Sequence, residues 1–243
     1  MAIPIIVLFD LDGVVLTQKA LEYTALMHLR KKFYNWQNIE NFRLIDFARI
    51  FEESDSKNRL KALKKANFSY KSIIPNKIKR LIFFMSFRLT YKKYEKMYEK
   101  VNPQLHSILI KFKNFGIISG IVSNTSRKRL IYYKSNFDLD EYISIFISRD
   151  NISVRKPHPY PIIFALKEIK EMFKLPIINK KKVYYVGDLS SDIICAKAAK
   201  VNSIALLSGH GTEKQLRNSK PDYIIKEIKD MLKIEPFKKL LSD

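Results

Sequence analysis

The 243-residue sequence contains one cysteine, one tryptophan and six glycines, and its 24 acidic side chains face 45 lysines and arginines. A lone cysteine excludes an intrachain disulfide. Its setting, Asp192-Ile193-Ile194-Cys195-Ala196, predicts a packed helix face and a buried, inert thiol. Long apolar runs are missing too: the best, residues 3 to 9 and Leu81 to Phe87, fall short of the roughly 18 residues that suggest a membrane helix. No cationic leader precedes the first of these runs and acids follow it at once, which argues against a signal peptide and for a cytoplasmic protein. The scarcity of acids leaves a net charge of +21. Residues 17 to 102 carry 20 basic and 8 acidic side chains, more than half of that excess, in a segment without glycine. Such a field attracts anions, whether phosphorylated metabolites or nucleic acid, and equally suits a solvated surface.

Against these absences stands Val7-Leu8-Phe9-Asp10-Leu11-Asp12-Gly13-Val14, an apolar run ending in two carboxylates one residue apart. It predicts a strand covered on both faces, with Gly13 permitting a sharp exit. If the backbone stays extended, Asp10 and Asp12 project to one side, and two carboxylates so close need a cation or a shared proton. Three later segments supply partners. Gly120-Ile121-Val122-Ser123-Asn124-Thr125 ends an apolar run in a hydroxyl and an amide, and a hydroxyl plus exposed backbone N–H groups at a strand-to-helix junction can hold a phosphate. Arg155-Lys156-Pro157-His158-Pro159 offers Lys156 as a point charge on a proline-stiffened loop. Val183-Tyr184-Tyr185-Val186-Gly187-Asp188-Leu189-Ser190-Ser191-Asp192 repeats the buried-strand pattern, with Asp188 at the strand end and Asp192 in the first turn of a following helix. Taken singly, each residue has an ordinary reading as turn former, helix cap or solvated cation.

The four segments, in this order, resemble the signature of the haloacid dehalogenase superfamily, particularly its phosphoglycolate-phosphatase-like branch. The resemblance covers residues 3 to 16 and about 103 to 232. It implies that Asp10 is the nucleophile, taking the phosphoryl group as an aspartyl phosphate, and that Asp12 is the general acid and then base. It implies that Ser123 binds the transferring oxygens, with Asn124 nearby, and that Lys156 neutralises charge on nucleophile and phosphate. Mg²⁺ would be held by Asp188, the Asp10 carboxylate and the Asp12 main-chain carbonyl, with Asp192 either a ligand or the partner of one. The dehalogenases proper lack the second carboxylate, so Asp12 points to phosphoryl transfer. This inventory also matches what the chemistry asks for: an in-line nucleophile, a hard cation and a lysine around the phosphoryl group. Two departures from the family pattern are Leu189, where a small hydroxyl residue is common, and Lys200, where a glycine often ends the helix. Either Lys200 takes a left-handed conformation or Asn202 supplies it.

The implied architecture is α/β: a Rossmann-like parallel sheet core flanked by helices, with an inserted, mainly helical cap domain. The core would comprise residues 1 to 16 and 103 to 243, and the cap residues 17 to 102, with hinges near Val15 to Gln18 and Glu99 to Pro103. Alternating runs place strands near 3 to 9, 117 to 122, 143 to 147, 182 to 187, 203 to 207 and 222 to 225. Helices fall near 103 to 114, 126 to 136, 159 to 174, 190 to 200 and 226 to 233, and the tail from Lys238 is expected to fray. In the insertion, Glu22, Tyr23, Leu26, Leu29, Arg30 and Phe33, then Ile39, Phe42, Ile45, Phe47 and Ile50, keep helical spacing. By resemblance, caps of this kind close over the site and choose the substrate. Arg30, Arg43, Arg49, Arg59 and Arg88 are candidate anion readers there, and Arg127 and Arg129 read as substrate contacts or helix-surface residues. Aromatics from Phe68 to Tyr98 fit core or interface better than base stacking.

The leading functional expectation is a magnesium-dependent phosphatase of a small phosphorylated metabolite, phosphoglycolate-like. Within enzymes the alternatives are a nucleotidase or pyrophosphatase, a polynucleotide end phosphatase and a sugar phosphomutase. From another class comes a basic nucleic-acid-binding module with a vestigial site, which would need no four carboxylates at strand ends.

Overall fold

Largely apolar stretches of three to five residues, mostly buried and rich in isoleucine and valine, form the strands of the main sheet, as expected where both faces of a parallel sheet are covered. They are β1 (Ile6–Phe9), β2 (Ile118–Val122), β3 (Ile145–Ile147), β4 (Val183–Gly187), β5 (Asn202–Leu206) and β6 (Tyr223–Ile225). The computed structural model describes residues 3–17, 27, 28, 30–33, 35, 71, 74–98 and 100–241. These divide into two units, one from residues up to Thr17 and from Val101 onward, the other from Gln18 to Lys100.

In the first unit the six strands make one all-parallel sheet in the order β3-β2-β1-β4-β5-β6. β1 is central, with Phe9 level with Ile121 of β2 on one side and Val186 of β4 on the other. The order reverses at β1, and in open sheets of this kind ligands bind outside the carboxyl ends of the strands at such a reversal. Helix α1 (Lys77–Tyr98) belongs to the other unit. After it in sequence come α2 (Pro103–Asn114), α3 (Arg127–Asn136), α4 (Tyr160–Met172), α5 (Ser190–Ala199) and α6 (Glu213–Asn218) of the first. One core layer joins Phe9, Leu109, Phe112 and Ile204, and the opposite layer joins Leu8, Ile162, Ile169, Tyr185 and Ala196. Asn102 caps α2, its side chain accepting from the Gln104 N–H, while its own N–H donates to the Val15 carbonyl 2.8 Å away.

The six strands and four of the helices follow the sequence expectation closely, and the parallel α/β fold is as expected. Two corrections apply near the C-terminus. The helix expected at 226 to 233 is a 3₁₀ helix, Ile228–Lys233. As far as Leu241 the tail is packed and not frayed, because Phe237 and Leu240 are fully buried and Lys111 donates to the Leu240 carbonyl at 2.9 Å. Phe237 lies 5.3 Å from the Phe112 ring and 5.0 Å from the Tyr184 ring, so the last described turn closes one face of the core. The short helix α6 was not expected, since Leu216 is its only buried residue and six positions carry no readable period.

In the second unit, α1 starts after Asn76, whose side chain accepts from the Ile78 and Lys79 N–H groups. Phe83 is buried against Phe33 at 5.5 Å, while Ile78, Leu81, Ile82, Met85 and Leu89 are exposed. The expected helical spacing over 39 to 50, the aromatics Phe68 and Tyr70, and Arg43, Arg49 and Arg59 lie outside the described residues. The same holds for the side chains of Phe84, Phe87, Arg88, Tyr91, Tyr94 and Tyr98.

Candidate active site

The carboxyl ends of β1, β2 and β4 converge on one cluster. Asp10 follows β1 directly and is held there by donating its N–H to the Val186 carbonyl at 2.9 Å. Asp188 follows β4, and Asp192 stands in the first turn of α5, where its Oδ2 accepts the Leu189 N–H at 3.0 Å. All three carboxylates are buried, and one oxygen from each lies within 4.8 Å of the others. Lys156 enters between them, its Nζ 2.8 Å from Asp10 Oδ1 and 2.6 Å from Asp192 Oδ1. Tyr185 steadies it from β4: the Lys156 ammonium donates to the tyrosine oxygen at 3.0 Å, and that hydroxyl donates to the Val122 carbonyl at 2.8 Å.

Three buried carboxylates against one ammonium leave an excess of negative charge in a low-dielectric site. Burial pushes the Asp10 carboxyl up to about 6, against the pull of Lys156 and with help from Asp192 and Asp12. Burial likewise raises Asp192, opposed by Lys156. For Lys156 burial works against the charge, but Asp10 and Asp192 outweigh it and hold the ammonium well above its ordinary value. Asp188 Oδ1 is buried with no hydrogen-bond partner. Its other oxygen is engaged by His210, through the backbone N–H at 2.6 Å and ring Nδ1 at 2.9 Å. An unpartnered buried oxygen beside two further carboxylates is a donor set that fits a hard divalent cation with oxygen ligands.

The remaining expected residues surround this cluster. Ser123 is buried just beyond β2, its N–H donating to the Ile147 carbonyl and its Oγ accepting from the Thr125 N–H at 3.2 Å. Asn124 is turned elsewhere: its amide nitrogen donates to the Lys156 carbonyl at 3.3 Å and its oxygen accepts the Lys156 N–H at 3.2 Å. It ties the lysine loop to the end of β2. Asp12 lies beyond the three-carboxylate cluster, paired with Arg129 of α3. Cys195 is buried, its thiol pushed up to about 12 by burial, in keeping with an inert group. Lys200 adopts the left-handed conformation itself, φ 62°, and Asn202 begins β5.

Three neighbours of the site escape a reading of the sequence alone. Tyr185 looks like one more core aromatic of a strand. Arg129 reads as a substrate contact or a helix-surface residue, and its pairing with Asp12 emerges only in the fold. His210 lies in Gly209-His210-Gly211, and the paired glycines just past β5 are the signal that a backbone passes close to something there. A Cβ at Gly209 or Gly13 would overlap the Asp188 carboxylate, one at Gly211 the Asp188 carbonyl, and one at Gly187 the Asp192 side chain. Four of the six glycines therefore pack against two acids.

A sequence profile of the haloacid dehalogenase-like hydrolases matches residues 7–206. The chain belongs to this family. Among curated relatives it is 28% identical over 233 residues to the "Putative pyrophosphatase PpaX" of Caldanaerobacter subterraneus subsp. tengcongensis, covering 94% of this chain and 93% of that protein. With the phosphoglycolate phosphatase of Yersinia pestis it shares 25% identity over 130 residues, 54% of this chain and 53% of the relative. The crystal structure of a "predicted phosphoglycolate phosphatase" from Haemophilus somnus superposes with a TM-score of 0.65 at 22% identity, over 96% of this chain and 98% of that one. This haloacid dehalogenase-like hydrolase is thus an enzyme of the phosphohydrolase type, in the phosphoglycolate-phosphatase-like branch that its motifs resemble. Among the described residues no helix is long and apolar enough to cross a membrane.

Proposed function

We propose that this hydrolase is a Mg²⁺-dependent phosphomonoesterase that cleaves a small phosphorylated metabolite through an aspartyl phosphate on Asp10. The observation that carries this reading is the buried cluster of Asp10, Asp188 and Asp192 around the Lys156 ammonium, with Asp188 Oδ1 left for a further partner. An Asp10 carboxylate oxygen attacks phosphorus and the bond from phosphorus to the leaving oxygen breaks, while Asp12 hands its proton to that oxygen. Asp12 then takes a proton from the water that attacks the aspartyl phosphate, and inorganic phosphate leaves. Lys156 holds Asp10 in place and offsets charge on the transferring oxygens. Ser123 and the N–H groups after β2 receive those oxygens, and Asn124 fixes the lysine loop. A bound Mg²⁺, held by Asp10, Asp188 and the Asp12 main-chain carbonyl, would neutralise charge on the phosphoryl group, with Asp192 orienting Lys156 and the end of β4. Residues 17 to 102 are assigned as the cap domain that selects the substrate, and their positive charge suits an anionic one.

Phosphoglycolate is the first substrate to test. Inorganic pyrophosphate is the second, because the likeness to the PpaX protein runs through nearly the whole chain, whereas the likeness to the phosphoglycolate phosphatase spans about half. Phosphate release from phosphoglycolate, pyrophosphate, a nucleoside monophosphate and an aryl phosphate, with Mg²⁺ and with chelator, tests the assignment. Release that persists undiminished in chelator would refute the metal, and no release from any of the four would refute the phosphatase reading.

A further inference from the structure

Asp12 departs from the other acids of the site in having an arginine as partner. Arg129 Nη1 lies 2.7 Å from Asp12 Oδ1 and 2.8 Å from Oδ2, so a single nitrogen contacts both oxygens. The pair is sheltered, the side chains retaining 21% and 15% of their exposure, which separates it from the solvated surface pairs that contribute little. Arg129 is itself located by its surroundings. The same nitrogen lies 3.3 Å from Thr125 Oγ1, the guanidinium sits 5.2 Å from the Tyr133 ring one turn further along α3, and the Arg129 N–H donates to the capping Ser126 hydroxyl. Thr125 in turn donates its N–H to Ser123 Oγ. A continuous set of contacts therefore runs from the phosphate-binding end of β2 through Thr125 and Arg129 to Asp12.

We propose that Arg129 is the positioning residue of Asp12, fixing its carboxylate where it exchanges a proton with the leaving oxygen and with water; this rests on the phosphatase reading above. Asp12 sits on a loop beyond β1, bridged to Leu16, and belongs to no named strand or helix. A displacement of about 1 Å of a proton-transferring group costs on the order of 100-fold in rate. Arg129 holds the carboxylate from α3, and because α3 begins directly after the Ser123 loop, the phosphate site and the acid are referred to the same helix.

The test compares two leaving groups. A nitrophenolate leaves with little need of a proton, while an alkoxide such as glycerol needs one. Arg129→Leu is expected to lower kcat for glycerol phosphate by about 10- to 100-fold and for nitrophenyl phosphate by only about two- to threefold, with KM nearly unchanged. Arg129→Lys should recover part of the loss, and Arg129→Leu in an Asp12→Asn background should cause no further one. Equal losses on both substrates, a loss confined to KM, or losses that multiply in the double variant would overturn the proposal. A crystal structure of the Arg129→Leu protein decides the point without turnover: a displaced Asp12 carboxylate supports it, and an Asp12 that keeps its place refutes it. A parent protein inactive on both esters and on the four substrates named above would instead refute the phosphatase reading.

Discussion

Replacing the proposed nucleophile should stabilise the protein as it abolishes turnover. Asp10 is buried, and its carboxyl is pushed up to about 6 from an ordinary 3.8 even with Lys156 beside it. A carboxyl with a raised folded-state value holds its proton more tightly folded than unfolded, so the parent loses stability as pH climbs from 3.8 through 6. That gap converts to about 3 kcal/mol at pH 7.5 and about 1 kcal/mol at pH 4.5. An asparagine side chain has nearly the shape of the protonated acid and never ionises. Asp10→Asn should therefore be more stable than the parent in chelator at pH 7.5, by an amount approaching 3 kcal/mol, and the difference should shrink toward 1 kcal/mol at pH 4.5. Urea titrations of both proteins, followed by circular dichroism at the two pH values, read this directly, with mass spectrometry excluding deamidation. Phosphate release by the variant should be absent, because the amide cannot form the acyl phosphate. Equal or lower stability at pH 7.5, or a difference that does not change with pH, would refute the account of Asp10 as a charge held against its surroundings. Retained turnover would remove it from the nucleophile role.

Lys156→Ala leaves three buried carboxylates with no cation and should cost about 3 to 5 kcal/mol in the same titrations, together with turnover. Asp188→Ala should raise the Mg²⁺ concentration needed for half activation more than Asp192→Ala, since Asp188 Oδ1 has no other partner while Asp192 is engaged by Lys156 and the Leu189 N–H; the reverse order, read by metal titration of phosphate release, would count against this ligand assignment. Gly13→Ala places a methyl on the Asp188 carboxylate at a φ of 76° and should disable the site, whereas Lys200→Gly relieves a φ of 62° far from it and should leave activity intact and stability unchanged or higher by up to about 1 kcal/mol. The basic charge is expected to attract small anions without gripping a nucleic acid: oligonucleotide binding at low salt should vanish at physiological salt, and tight binding there coupled to removal of terminal phosphate would favour an end phosphatase.

The parallel sheet is legible in the sequence because its strands are covered on both faces and so become short unbroken apolar runs, as at Val183-Tyr184-Tyr185-Val186. Asp10 and Asp188 announce themselves because each ends such a run. What stays hidden depends on contacts distant in sequence. Nothing local ties Arg129 to Asp12 or His210 to Asp188, and the same holds for the tail, where Phe237 and Leu240 find the core only after α2 and β4 are in place. Asn124 shows a further limit: its position beside Ser123 suggested phosphate, but both ends of its amide are engaged by the Lys156 backbone.

The central position of β1 has a consequence for how the chain is made. Ile6 to Phe9 leaves the ribosome well before its neighbours in the sheet, which begin at Ile118 and Val183. At synthesis rates of roughly 5 to 20 residues per second, the β4 neighbour arrives on the order of 10 to 40 seconds later. Throughout that interval the nascent chain carries a β-prone apolar segment with both edges unpaired, which is the condition that invites wrong pairing and aggregation. The acids immediately after it, Asp10 and Asp12, and the lysine-rich segment that emerges next keep the growing chain charged while it waits. Expression yield and solubility should therefore depend on translation speed and chaperone supply more than the stability of the finished enzyme would suggest.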